Sequence, residues 1–205
     1  MPEGLEESLR ILVVGSTGLI GRAVATALSQ YGEVIGASRS SEISVNVKDP
    51  SSIKAMYSKV GKIDAVASCI GKVPFKPVTE LSYQDYEEGF RDKGLGQVEL
   101  VRAGVDFVQD GGSFTLMTGI LARDPIPSGS VAALANGAIE SFTLAAALDL
   151  PRGIRINTVS PNVLVEATNY HASFPGYHQV TAKEVADAYI KSILGKQTGQ
   201  IYKLD

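Results

Sequence analysis

The sequence predicts an α/β domain: a doubly wound, mainly parallel sheet with helices on both faces. Three observations carry that prediction. Short apolar runs of strand length alternate with stretches of helical periodicity from Ile11 to Leu204. The first run passes without a break into a glycine-rich turn and an alanine-rich helical pattern. No internal repeat or low-complexity linker interrupts the alternation, so 205 residues with 44% hydrophobic content fit one domain, residues 11–205, with a sizeable core.

Residues 1–10, MPEGLEESLR, carry three glutamates and no apolar stretch. They predict a short, loose lead-in and neither a secretory signal nor a transit peptide. Ile11 to Val14 form the first strand, Gly15 to Gly21 a turn, and a helix runs on to Tyr31-Gly32. Glu33 to Ala37 return as a strand at βαβ spacing. Ser38 to Ser41 are a polar break, and the alternation from Ile43 to Val47 predicts a third short strand. Asp49-Pro50-Ser51-Ser52 read as a turn with a helix cap leading into Ile53 to Val60. Ile63 to Ile70 form a mostly apolar strand that stops at Gly71, before a loop over Lys72 to Pro77.

Leu81 to Val108 predict one long helix or two in series, interrupted by Gly89, Gly94, Gly96 and Gly104. Asp110-Gly111-Gly112 end it, Ser113 to Thr118 form a strand, and Gly119 to Gly129 a loop. From Val131 to Leu150 small apolar residues lie nearly all round, which predicts a helix buried on more than one face, in the core or at a subunit interface. Ile154 to Val159 alternate as a strand. Val163 to Val180 form a loop unusually rich in aromatic and histidine residues, Thr181 caps a last helix through Leu194, and Gly199 to Leu204 give a final strand.

The turn after the first strand carries the chemistry. A helix N-terminus offers unpaired N–H groups and partial positive charge, and glycines let a phosphate approach them. Gly15, Ser16, Thr17, Gly18, Leu19 and Ile20 are therefore the candidate dinucleotide pyrophosphate site. The spacing is G-x-x-G-x-x-G rather than the G-x-G-x-x-G of many dehydrogenases.

Composition removes other classes. A net charge of −3 and a pI near 5.5 give nucleic acid no electrostatic footing. The single cysteine, Cys69, excludes disulfides and cysteine zinc sites within the chain and suits a reducing cytoplasm, and no metal is expected. No run is expected to reach the roughly 20 apolar residues that span a bilayer, so no membrane partner is expected.

Along nearly its whole length the chain resembles the short-chain dehydrogenase/reductase family. Gly153-Ile154-Arg155-Ile156-Asn157-Thr158-Val159-Ser160-Pro161 is similar to the family's G-I-R-V-N-x-V-S-P-G segment. Ser68-Cys69-Ile70-Gly71 stand where the family has N-N-A-G, and Thr198-Gly199-Gln200 match its late T-G-Q. Thr118-Gly119-Ile120, Asp124-Pro125 and Ala135-Asn136-Gly137-Ala138 resemble segments of a compact bacterial subgroup. The resemblance implies a three-layer αβα Rossmann fold, a nicotinamide cofactor, a small-molecule substrate and a homodimer or homotetramer. It also implies that Ser68, Cys69, Ile70, Asn136, Pro161 and Val163 lie against the cofactor.

The family's chemistry is hydride transfer assisted by a tyrosine, a lysine, a serine and an asparagine. Here the helix from Val131 places Ala132 and Asn136 where Y-x-x-x-K is expected, and none of the eight tyrosines is followed four residues later by lysine. Gly119 stands at the serine's place with Thr118 beside it, and Lys93 at the asparagine's. A methyl group cannot donate a proton. The catalytic candidates are accordingly Thr118, as a hydroxyl for a carbonyl oxygen, Lys93, as the lost cation supplied from another helix, and Asn136, as a ribose partner. Tyr170, His171, Tyr177 and His178 in the substrate-covering loop are further proton sources if that loop closes.

Arg39 follows the second strand, where an acid would read a free ribose hydroxyl and an arginine a 2′-phosphate. No acid lies between Val34 and Ser41. NADP(H) is therefore expected over NAD(H), with Ser38 adding a hydroxyl and Asn46-Val47 beside the adenine. The expected function is that of an NADP(H)-binding oxidoreductase with an atypical active site. Two other classes fit the same residues: a scaffold running a non-redox cyclisation or isomerisation, and a non-catalytic nucleotide-binding protein.

Overall fold

A computed structural model describes residues 8–205. The expected lead-in falls outside them except for its last three positions, and two of these already belong to the first strand, β1 (Leu9–Val14). Arg10 is drawn into the sheet by its neighbours: its N–H donates to Asp64 at 2.7 Å and its guanidinium to Glu33 at 2.9 Å.

After β1 come α1 (Leu19–Leu28), β2 (Gly32–Ser38), β3 (Ile43–Ser44), α2 (Pro50–Val60) and β4 (Ile63–Ser68). A helical run follows in three parts, α3 (Tyr83–Phe90), a π-helical turn (Arg91–Leu95) and α4 (Gly96–Gly104). Then come β5 (Val108–Met117), α5 (Ser130–Asp149), β6 (Arg155–Pro161), β7 (Val163–Leu164), β8 (Gln179–Val180), α6 (Ala182–Leu194) and β9 (Gln200–Leu204). Among the described residues, seven strands form one sheet in the order β3-β2-β1-β4-β5-β6-β9, every pair parallel.

Alternation along β1 divides the core between two layers. Ile11 and Val13 pack with Val24 and Leu28 of α1 and with Val185, Tyr189 and Ile193 of α6. Leu12 and Val14 pack on the other face with Ile53 and Met56 of α2, Leu100 of α4 and Ile139 of α5. Burial on both faces is what makes β1 a continuous apolar run. The chain winds outward from β1 to β2 and β3, then returns to β4. The C-terminal ends of β1 and β4 are therefore the switch point where such sheets bind ligands.

Four sequence expectations change. The third strand is only two residues long, because Asn46 turns the chain, its Oδ1 accepting the Lys48 N–H at 3.2 Å. Asp110-Gly111-Gly112 lie inside β5 rather than before it: Gly111, at φ +73°, takes up a register shift against β4 and lets pairing resume at Ser113. Within the single chain, helix α5 is buried along one face rather than surrounded by core, and Leu134, Leu144 and Leu148 are 50%, 55% and 86% exposed on the other, which leaves the subunit-interface alternative standing. With 20 residues and mean hydropathy 1.5, α5 does reach membrane-spanning length and apolarity, although Val131, Ala135 and Ile139 are buried in the protein.

Candidate cofactor and substrate cleft

The glycine turn is locked across three strands. Gly15 N–H donates to Ala37 O at 2.8 Å, and Cys69 N–H to Val14 O at 2.8 Å. Gly15 sits at φ +86°, and a β-carbon there would lie 2.6 Å from the Cys69 carbonyl oxygen. A β-carbon on Gly21 would lie 2.0 Å from Gly15 O, so only glycine lets α1 start against the turn. Gly18 is the N-cap of α1 and has no side chain to cap it. The first N–H groups of α1 therefore remain available to an anion.

A cleft of about 500 Å³ opens from this turn along the ends of β4, β5 and β6. Of the sequence-predicted residues it brings together Gly18, Leu19, Ile20, Cys69, Ile70, Lys93, Thr118, Asn136, Pro161 and Val163. Gly15, Ser16 and Thr17 form the turn beneath it. Arg39 is exposed beyond the end of β2. Ser38 is 7% exposed, and its Oγ accepts the Ser40 and Ser41 N–H groups at 3.2 and 3.1 Å, so it shapes the turn that presents Arg39. Asn46 is exposed and Val47 half-buried, at the far end of the same edge.

Ser68 corrects an expectation. It is fully buried, its Oγ donates to Gln97 Oε1 at 3.0 Å, and its carbonyl accepts the Tyr189 hydroxyl at 2.5 Å. It anchors the sheet end instead of facing the cleft. Cys69 does line the cleft, but burial pushes its thiol up to about 12, so it stays protonated.

The π-helical turn places Lys93. Gly96 N–H bonds back five residues to Arg91 O, widening the helix by one residue. Gln97, fully buried, fixes this turn to the sheet. Its Nε2 donates to Lys93 O at 2.9 Å and Met117 O at 2.8 Å, and its Oε1 accepts from Met117 N at 2.8 Å as well as from Ser68. All four of its amide positions are used. The Lys93 side chain then lies over Gly71, where a β-carbon would come within 2.5 Å of Cγ and 3.0 Å of Nζ. Burial lowers the Lys93 ammonium to about 8, opposed only by the charge of Asp92.

Thr118 is 4% exposed, and its hydroxyl donates to Glu140 at 3.0 Å. Ser160 donates to the same oxygen at 2.8 Å and accepts from Arg123 at 2.8 Å. The Thr118 proton is thus committed to a carboxylate behind the cleft. Ala132 and Asn136 are each 3% exposed, one helical turn apart on the inner face of α5. Among the described residues, buried Asn136 Oδ1 has no hydrogen-bond partner.

The chain matches the family profile described as enoyl-(acyl carrier protein) reductase over residues 19–198. It belongs to the short-chain dehydrogenase/reductase family. It is similar to the protein lin1944 from Listeria innocua, whose crystal structure has a TM-score of 0.95 at 45% identity, covering 97% of this chain and 100% of that one. A small-chain dehydrogenase solved in complex with NADPH has a TM-score of 0.86 at 25% identity, with 97% of each chain covered. Hydroxynaphthalene reductase from Aspergillus fumigatus is 33% identical over 110 residues, which are 53% of this chain and 40% of that protein. The chain therefore matches less than half the length of that reductase.

The residues present fit a nicotinamide dinucleotide. Gly18 leaves the start of α1 bare at the cleft, and Asn136 Oδ1, buried there without a partner among the described residues, needs a donor such as a ribose hydroxyl. Sequence reasoning named Tyr170 in a substrate-covering loop, as a proton source, but missed the wall that this loop builds with the loop after β4. Val73 and Phe75 from the loop after β4, and Tyr170 and Phe174 from the loop between β7 and β8, close over the cleft. Phe75 and Tyr170 meet at 6.2 Å between ring centroids. Their loop positions were visible in the sequence, but not their meeting across more than ninety residues. His171 turns inward to the Leu164 carbonyl at 2.9 Å, and the Tyr177 hydroxyl reaches Asp124 O and Pro125 O at 3.4 and 3.3 Å. Neither residue lines the cleft.

Proposed function

We propose that this chain is an NADP(H)-dependent reductase of small carbonyl compounds in which Lys93 takes over from a tyrosine–lysine pair on α5. The observation that carries the reading is Lys93 itself, a cation laid over Gly71 in the same cleft as Asn136 and the start of α1. At pH 7 an amine lowered to about 8 is still mostly ammonium, yet it is a far stronger acid than an ordinary lysine. It holds a proton at Nζ and delivers it to the substrate oxygen as charge develops there. Loss of the proton is favoured by the burial that lowered its affinity. Thr118 orients the end of β5 through Glu140 and gives up no proton. Bound NADPH supplies the hydride, with Asn136 Oδ1 and the α1 N-terminus among the groups that hold it.

Arg39 supports NADP(H) over NAD(H), because a guanidinium pairs with a 2′-phosphate in a way a neutral ribose hydroxyl cannot match. The test is titration with both cofactors, followed by NADPH oxidation with a panel of aldehydes, ketones and activated alkenes. Tight NADPH binding without turnover of any of them would refute the reductase half and leave a nucleotide-binding protein. Ala132 favours one rival reading, a non-redox isomerisation or cyclisation. Product formation unaffected by omitting NADPH would establish it.

The chain works as a homodimer or homotetramer in the cytoplasm. Leu134, Leu144 and Leu148 of α5, exposed beside Gly137 and Ala145, suit close packing against the same helix of a second copy. Leu148→Glu is expected to lower the mass measured by light scattering, and an unchanged mass would remove α5 from the interface.

A further inference from the structure

We propose that Lys93 is also a nucleophile, capturing aldehydes in the cleft as a reversible imine. This second activity shares its lysine with the reductase reading but needs neither cofactor nor hydride. The amine nitrogen adds to the aldehyde carbon, the carbonyl π electrons move to oxygen, and a proton passes from nitrogen to oxygen to give a carbinolamine. Loss of water then gives the imine, with no change in oxidation level, and hydrolysis restores the amine.

The surroundings favour this chemistry at Lys93. Among the described residues, no carboxylate lines the cleft. Asp92, next to Lys93 in the π-helical turn, uses an oxygen to accept the Lys72 N–H at 3.0 Å. From α5, Glu140 takes the hydroxyls of Thr118 and Ser160 behind the cleft wall. Lys72, from the loop after β4, adds a second cation. Desolvation without a paired anion is what makes a lysine nucleophilic near neutral pH, and burial has moved this one to about 8. The cleft's other nucleophile, Cys69, is held protonated by the same burial. The walls are apolar and aromatic, from Val73, Phe75, Tyr170 and Phe174, and about 500 Å³ admits a ring-bearing aldehyde.

The experiment treats the full chain with benzaldehyde and sodium cyanoborohydride, then maps benzylated lysines by peptide mass. Lys93 is expected to label on the order of ten-fold faster than the exposed Lys54 and Lys196 in the same digest, with a rate rising through about pH 8. NADPH is expected to slow labelling at Lys93 alone. In Lys93→Arg, the fast adduct is expected to disappear while the other sites label as before. Lys93 labelling no faster than Lys54, or a fast adduct surviving in Lys93→Arg, would overturn the proposal. NADPH turnover is measured in parallel. Turnover without fast labelling sinks the imine and keeps the reductase, and fast labelling without turnover does the reverse.

Discussion

At the start of α1 the cleft is made of backbone: a glycine at φ +86°, a helix end with no capping side chain, and N–H groups held by the sheet. Elsewhere in the cleft, at the inner face of α5, it is made of side chains, the methyl group of Ala132 and the amide of Asn136, at positions where the family resemblance led us to expect a tyrosine and a lysine. We read the first region as keeping the family's pattern and the second as departing from it, although both line one cavity. A cradle of peptide groups depends on φ angles and close approach, which substitution breaks together with the fold. Proton transfer depends on one or two side-chain atoms, which can be exchanged or moved to another helix while the core stays intact. The cofactor half of a dinucleotide fold and its chemical half are thus separable, and each can be tested without the other.

The largest expected effect removes the cation we assign to the chemical half, Lys93. Lys93→Met should lower kcat for carbonyl reduction by about 100-fold or more, the usual scale for a general acid, while NADPH binding changes by only a few-fold. The same variant should be slightly more stable, because methionine removes a half-buried charge that has no salt-bridge partner among the described residues, as is common where activity costs stability. The pH dependence carries the sign. Reduction needs the protonated amine, so wild-type kcat should fall as pH rises through about 8. In stability the order reverses: with its folded pKa below the unfolded 10.5, Lys93 binds fewer protons when folded, so its penalty shrinks as pH rises between about 8 and 10.5. A pH–rate profile for the wild type that stays flat through this range would break the assignment of Lys93.

Next in size is damage to the backbone cradle. Gly15→Ala puts a β-carbon 2.6 Å from the Cys69 carbonyl in a conformation that L-residues rarely adopt. It should cost about 1–3 kcal/mol of stability and weaken NADPH and NADH alike. Thermal unfolding and titration with both cofactors measure it, and unchanged binding would remove the turn from the site. Arg39→Ala should be milder and selective. It should weaken NADPH by about ten-fold, the scale of one charge-assisted contact, and leave NADH unaltered. Equal weakening of both would show that Arg39 does not read the 2′-phosphate.

How legible each region was follows from the same physics. The glycine turn, its flanking strand and helix, and the strand read at Ile154 to Val159, which is β6 (Arg155–Pro161), were readable because their residue types are dictated locally. The strand at 108–112 was not, since Gly111-Gly112 reads as a break and only pairing with β4 makes it a strand. The π-helical turn leaves no mark on spacing in the sequence, yet it sets where Lys93 points. Ser68 resembled a cofactor contact until Gln97, twenty-nine residues away, took its hydroxyl. Ser38, expected to add a hydroxyl beside Arg39, is also the hub of its own turn, where its Oγ accepts two backbone N–H groups. In each case a partner distant in sequence, or a backbone detail, decided the outcome.

The smallest effect concerns the mouth of the cleft. Phe75 and Tyr170, 40% and 45% exposed, come from loops that follow β4 and β7 and meet above Lys93's cavity. An aromatic pair in that position covers a substrate's apolar body without touching the reacting atoms. Removing one ring uncovers part of the bound substrate equally in the ground and transition states. Tyr170→Ala should therefore raise KM about three-fold for aromatic aldehydes with kcat unchanged, the signature of lost uniform binding. The same change should leave NADPH affinity alone, because the pyrophosphate cradle lies at the other end. A fall in kcat would mean that the Tyr170 hydroxyl takes part in proton transfer, and the chemical half would then extend from the π-helical turn into the loop.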